Sequence, residues 1–310
     1  MCQPGDTVPG RAWLVYHLSV TLGTLVFLSY GAGAHVAEAE YAILSAWRAS
    51  RGSPIRLLLY TDTPARYDGL PVDIRMISAA ELEAWQGPGG YHHRRKAEVI
   101  RDALRAEGHP IAFVDSDTWF RKPASQVFDR IAPGQVALHL LEGRLLDSNS
   151  PDKHALSRHV TSNPLVDLRG QPLTIDANAA MWNSGVAGIH TADANLLDES
   201  LNLIDQIWVG YQGSHDVEQF ALGQVAERRA RIVETSDIVY HYWPKFLRDS
   251  WKRRLPDLLA ATATLPLDER ADVLHHERPR ARGKQLMKYA VKQGLRAAGR
   301  PPTSVRSSAT

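Results

Sequence analysis

The stretch IAFVDSDTWF, Ile111 to Phe120, decides how this chain is read. Four apolar residues run into Asp115, Ser116 and Asp117, and an aromatic pair comes next. An apolar run without polar alternation is a strand covered on both faces, as in a parallel sheet. Two carboxylates at the end of such a strand repel each other, so their placement needs a cause. In open α/β sheets the carboxyl ends of the strands are where ligands bind. A divalent cation with hard oxygen ligands, Mg²⁺ or Mn²⁺, relieves the repulsion and leaves room for substrate phosphates. A lone D-x-D also fits a strand-end turn in which Asp117 caps the next element, so the context has to decide.

Working outward, the first half alternates strands and helices. TLVFLSY (Thr24–Tyr30) is a buried strand, and His35 to Ser50 carries a helical stripe through Val36, Ala39, Ile43, Leu44 and Trp47. IRLLLYTD (Ile55–Asp62) and VDIRMIS (Val72–Ser78) are strands. Helices are expected from Ala79 to Trp85, ending at GPGG, and from Arg94 to Glu107. The pattern predicts an α/β fold with a mainly parallel sheet covered on both faces.

The second half is less regular. QVALHLLEG (Gln135–Gly143) is a strand, and Arg144 to about Ile175 is polar and without strong periodicity, the mark of a lid or binding loop. AMWNSGVAGIH (Ala180–His190) is apolar around a polar centre; Leu196–Tyr211 and Val217–Arg229 are helical. RIVETSDIVYHYW (Arg231–Trp243) has the pattern of a strand pair. His92, His93, Arg94 and Arg95 are most simply a solvated basic patch.

Bulk composition narrows the function. With 310 residues, 44% of them hydrophobic, the chain holds one large α/β domain or two smaller ones. The single cysteine, Cys2, excludes an internal disulfide framework and suits a reducing compartment. Leu18 to Leu28 has the outline of a secretory leader, but the helical segment directly after it favours TLVFLSY as a first core strand over that alternative. The net charge of +2 is unevenly spread: nine Lys/Arg and no acid lie from Arg278 onward, against 27 basic and 34 acidic residues before it. Lys284, Lys288, Lys292, Arg296 and Arg300 recur every four residues, which reads as a cationic amphipathic helix or a solvated tail. An anionic membrane surface is the expected partner of the tail; the acidic body and the lack of a binding motif argue against nucleic acid.

Taken together, these motifs resemble a glycosyltransferase of the GT-A fold, closest in layout to the family 8 type, over roughly Thr24 to Trp243. The resemblance implies a Rossmann-like mixed sheet in residues 1–250, followed by a basic helical extension in 251–310. It implies that the first strand and its glycine turn, with Ser29 and Tyr30, meet a nucleotide, and that Thr61-Asp62 ends the second strand beside it. Lys96 stands where that family has a basic donor contact, with Asp115 and Ser116 also on the donor. Asp115, Asp117 and His241 are the implied metal ligands, with Mn²⁺ or Mg²⁺ as the ion; a neutral imidazole favours Mn²⁺. Asn183-Ser184-Gly185-Val186 matches a segment that shapes the donor-sugar pocket, with Asn183 bonding sugar hydroxyls and Gly185 admitting a close backbone approach. Asp216 and Gln219 match a D-Q pair, here separated by two residues, and are the implied catalytic positions with Asn183. Asp216 suits hydrogen bonding to the sugar, a base toward an acceptor hydroxyl, or stabilisation of an oxocarbenium-like centre; it also suits a helix cap with Gln219 as its capping-box partner.

One departure stands out. The family has His, then Gly, then Lys-Pro-Trp, whereas this chain has His241-Tyr242-Trp243-Pro244-Lys245. The diphosphate contact from Lys245 is the expectation this affects. The expected function is metal-dependent transfer of a sugar from a nucleotide sugar, with UDP the expected nucleotide, to a glycan, lipid-linked or protein acceptor. Retention of configuration is what family 8 implies, and the expected setting is the cytoplasm, peripheral at the inner face of the membrane. The alternatives are a non-catalytic sugar-nucleotide or glycan binder and a nucleotidyltransferase, although GAGAH lacks the basic residues the latter wants. A haloacid-dehalogenase-type phosphatase is excluded by Trp119, where that motif needs Thr or Val.

Overall fold

The strands form where apolar residues run unbroken, because both of their faces are covered. The computed structural model describes residues 21–279. β1 (Gly23–Ser29), β2 (Ile55–Thr61), β3 (Asp73–Met76) and β4 (Ile111–Val114) pair in parallel around β1. Side chains alternate between two cores. Leu25, Phe27, Leu57, Leu59, Ala112 and Val114 face α1 (His35–Ser50). Val26, Leu58, Tyr60, Ile111 and Phe113 face the other layer, which includes α3 (Arg94–Glu107). Between β3 and α3 lies the short α2 (Ala79–Ala84), closed by a Ser78–Glu81 capping box.

After β4 come the short β5 (Thr118–Phe120) and α4 (Ser125–Phe128), then β6 (Gln135–Arg144). The stretch read as a lid or loop contains α5 (Pro151–Ser162) and a two-rung hairpin of β7 (Leu165–Val166) and β8 (Pro172–Leu173). Leu156, Val160 and Leu165 from it are buried in the main core, which orders the segment. β9 (Ala180–Ile189) then enters the sheet between β4 and β6, antiparallel to both. α6 (Asn195–Gly210) and α7 (Val217–Arg229) cover the α3 face through Leu203, Ile204 and Phe220. β10 (Arg231–Glu234) adds the last strand, parallel to β6. The result is a seven-stranded, mostly parallel sheet in the order β10-β6-β9-β4-β1-β2-β3, flanked by helices.

The segment Arg231–Trp243 does not form the expected strand pair. β10 stays on β6, the chain turns at Thr235–Ile238, and β11 (Val239–His241) pairs antiparallel with β5. α8 (Lys245–Thr262) runs continuously across residue 250, and its Leu247, Trp251, Leu255 and Leu259 pack against Tyr41 and Leu44 on the outer face of α1. α9 (Leu267–His276) comes next and pairs Asp272 with Arg48 of α1 and with Arg51 just past its end. Among the described residues no helix is long and apolar enough to cross a membrane. The expected basic helix, Lys284 to Arg300, lies outside the described residues.

Candidate functional site

Strand register brings the distant motifs together. Asp115 comes directly after β4, and its backbone N–H donates to the Gly185 carbonyl oxygen of β9 at 2.9 Å. On the other side, β5 pairs Thr118 with His241 of β11, and Tyr242 N–H donates to the Asp117 carbonyl oxygen at 2.9 Å. So Asp115, Asp117 and His241 meet at the carboxyl end of β4, with one ligand atom from each within 4.8 Å of the others. They line a cleft of about 410 Å³ together with Ser29, Tyr30, Lys96, Ser116, Asn183, Asp216 and Gln219.

Protein cations surround the two carboxylates. Lys96 Nζ lies 3.0 Å from Asp115 Oδ1 and 3.2 Å from Oδ2. His241 Nε2 lies 3.0 Å from Asp117 Oδ1, and Arg248 Nη1 3.1 Å from Asp117 Oδ2. Burial alone would raise the Asp117 pKa, but the charges of His241 and Arg248 outweigh it and hold the carboxyl well below its usual range. Burial likewise pulls His241 down, and the Asp117 charge and hydrogen bond reverse that, so its pKa is raised.

The His241 ring is oriented by hydrogen-bond logic. Asn183 Oδ1 accepts from Gly185 N–H at 2.9 Å and also faces His241 Nδ1 at 2.9 Å. That oxygen cannot donate, so Nδ1 carries the hydrogen and Nε2 is the nitrogen turned toward the carboxylates. Two hard carboxylates and one such imidazole fit a divalent cation such as Mn²⁺. Asn183 lines the cleft but is only 3% exposed and is engaged with the histidine. At Gly185 a Cβ would fall 2.1 Å from His241 Nδ1, so the missing side chain makes room for the ring.

Other expected residues sort clearly. Ser29 lines the cleft, and its Oγ accepts from Tyr67 Oη–H at 2.6 Å; Tyr30 carries the Arg95 guanidinium 4.7 Å above its ring. Thr61 is buried below the cleft and bonds Thr63; Asp62 accepts twice from Gly31 N–H at 3.0 Å and so clamps the turn after β1. Neither Thr61 nor Asp62 is in the cleft lining. Asp216 is the residue before α7 but makes no side-chain cap bond; its carboxylate faces His215 at 3.1 Å, and burial raises its pKa. Gln219 Oε1 accepts from Ser184 N–H at 3.4 Å. Lys245 is turned to solvent, 89% exposed and paired with Asp249. Of the basic patch, His92 and His93 line the cleft rim, whereas Arg94 is buried between Glu98 and Asp205.

Three features of the site escape the sequence reading. Glu218, on the first turn of α7, is 5% exposed and lines the cleft. Ser184 Oγ donates to its Oε2 at 3.2 Å and Lys96 lies 4.0 Å away, while its Oε1 is buried with no hydrogen-bond partner among the described residues. Burial pushes its pKa up to about 7 against the opposing charge of Lys96. Arg248 reaches the cleft from α8 and is anchored by the fully buried Glu38 at 3.0 and 3.1 Å. His139 stands edge-on to His241 with ring centroids 5.4 Å apart; burial lowers its pKa to about 3, and the neutral ring donates from Nε2 to the Val239 carbonyl oxygen.

A scan against protein-family models finds no match to this chain, and a search of curated proteins finds none either.

Proposed function

We propose that this protein is a metal-dependent glycosyltransferase of the GT-A type, moving a sugar from a nucleoside diphosphate sugar to an acceptor hydroxyl. The observation that carries the reading is the meeting of Asp115, Asp117 and His241 with Lys96 and Arg248 in one cleft at the carboxyl edge of a mostly parallel sheet. That edge is where such sheets take nucleotides, and the mixed sheet with one reversed strand is of the kind the resemblance implies. Ligated by the triad, the metal would supply Lewis-acid neutralisation of the departing diphosphate.

The chain's own residues divide the remaining work. Arg248 is the guanidinium in the cleft lining, and its planar fork suits a phosphate, so it takes the diphosphate contact that the motif assigned to Lys245. Lys96 sits between Asp115 and Glu218 and links the metal side of the cleft to the side we assign to the sugar. Glu218, half-protonated near neutral pH, is placed to donate to or accept from a sugar hydroxyl through the unpartnered Oε1. Asp216, at the same end of α7, is the group best suited to face the acceptor hydroxyl. Retention of configuration, and docking of the basic tail on an anionic membrane near a lipid-linked acceptor, belong to the same proposal. Removing the residues after Arg278 is expected to lower binding to anionic liposomes.

The test is release of nucleoside diphosphate from a panel of UDP- and GDP-sugars with Mn²⁺. We expect turnover of at least one donor, lost in Asp117→Ala. Silence of the wild type toward every donor, with every divalent ion, would overturn the proposal.

A further inference from the structure

We infer that Glu142 and Lys153 are positioning residues for His241, acting on it through the Asn183 amide; this rests on the reading of Asp115, Asp117 and His241 as a metal site. Glu142 lies near the end of β6 and Lys153 on α5, inside the stretch whose sequence suggests a lid. Lys153 Nζ lies 3.1 Å from Glu142 Oε2, and the two side chains are 17% and 11% exposed. The other oxygen, Glu142 Oε1, accepts from Asn183 Nδ2 at 2.8 Å.

An amide has one donating end and one accepting end, so two partners of opposite kind fix which way it points. Here the carboxylate of Glu142 requires the NH₂ and the Gly185 N–H requires the oxygen. Both demands place Oδ1 against His241 Nδ1 at 2.9 Å. Reversed, the amide would aim NH₂ at Nδ1, and the ring would have to keep its hydrogen on Nε2. The nitrogen facing Asp117 would then have no lone pair to offer a metal.

Glu142 contributes more than shape. A charged acceptor makes a hydrogen bond roughly twice as strong as a neutral one. Lys153 directs the carboxylate: it holds Oε2 at 3.1 Å and leaves Oε1 as the oxygen that meets Asn183. Groups that hold a metal-binding imidazole through its second nitrogen change metal affinity by about 10- to 100-fold when removed. A pair whose role was only to tie α5 to β6 would instead alter stability and leave the metal untouched.

The test compares Glu142→Ala, Glu142→Gln and Lys153→Met with wild type and Asp117→Ala, using Mn²⁺ itself as the probe. Free Mn²⁺ is counted by electron paramagnetic resonance, and thermal unfolding reports the fold. Glu142→Ala should weaken Mn²⁺ binding at least tenfold. Glu142→Gln still presents an oxygen to Asn183, though a neutral one, and should weaken binding by less than Glu142→Ala does. Lys153→Met keeps the aliphatic stem and should fall between them, so it carries the comparison if Glu142→Ala does not fold. A second readout needs no metal: the His241 Nδ1–H resonance should be visible in wild type and Glu142→Gln and broadened by exchange in Glu142→Ala. Wild-type affinity in both Glu142→Ala and Lys153→Met would overturn the inference. A wild type that binds no Mn²⁺ would overturn the metal reading itself, and it is told apart because Asp117→Ala is then indistinguishable from wild type.

Discussion

A methyl group at position 185 should unseat His241. The Cβ of Gly185→Ala falls 2.1 Å from His241 Nδ1, 2.6 Å from Cε1 and 2.9 Å from Asn183 Oδ1. Ordinary contact needs about 3.5 Å, so the ring has to retreat by more than about 1 Å. It has little room, because His139 stands 5.4 Å away edge-on and Trp243 4.9 Å away. A shift of that size breaks the 2.9 Å bond to Asn183 and the 3.0 Å bond to Asp117. Overpacking of this kind costs about 1–3 kcal/mol, which for a chain of this size lowers Tm by about 2–5 °C. On the proposed metal reading the displaced ring is a ligand, so Mn²⁺ affinity should fall by about 100-fold or more. Calorimetric titration with Mn²⁺ and thermal unfolding measure both effects. A Gly185→Ala protein with wild-type Mn²⁺ affinity would refute the reasoning, since it would mean that the ring position is immaterial to the metal.

Other consequences are open to measurement. Glu218 ionises at 4.5 when unfolded and about 7 when folded, so the folded state holds the proton more tightly. Its contribution to stability is therefore greatest below pH 4.5, is lost as pH rises toward 7, and changes no further above that, a span of about 3 kcal/mol. Glu218→Gln should accordingly be more stable than wild type at pH 8 and nearly equal to it at pH 4.5 in urea unfolding; lower stability at pH 8 would contradict the assignment. Among the described residues, Arg248→Met leaves the buried Glu38 with Lys252 at 3.4 Å as its one cationic partner and should cost about 3–5 kcal/mol. Adding Glu38→Gln should recover part of that loss, and no recovery would show that the Glu38 charge is not the cause. Trp251, 2% exposed and stacked edge-on to Tyr41 at 5.0 Å, should cost about 3–5 kcal/mol on replacement by alanine. A negligible change in its unfolding midpoint would show that α8 does not share the core beside α1.

Much of the architecture could be read from uniform apolar runs. β1, β2 and β4 have no polar alternation because helices cover both faces, and α1 and α3 carry stripes clear enough to set their ends. α5 was less legible, since only Leu156, Ser157 and Val160 on it are buried and its apolar stripe is short. β10 and β11 read as partners because only a short polar turn separates two apolar runs; their true partners, β6 and β5, are about a hundred residues away in sequence.

The metal-site candidates Asp115, Asp117 and His241 were visible as motifs, but the groups that support them were not. Glu218 looks like an ordinary first-turn acid favoured by the helix dipole, and its burial arises only when α7 packs beside α3. Glu38 and Arg248 are 210 residues apart, so their pairing has no local signal. Lys245 fits a motif position, yet it opens α8 pointing outward, and the residue that reaches the cleft is Arg248, on the neighbouring turn.

The most direct test of the central claim is calorimetric titration of UDP and GDP, each with and without Mn²⁺, into wild type and Asp117→Ala. One nucleotide should bind the wild type only when Mn²⁺ is present, and neither should bind Asp117→Ala with or without the metal. Binding that is indifferent to both Mn²⁺ and Asp117, or no binding under any condition, would contradict the claim.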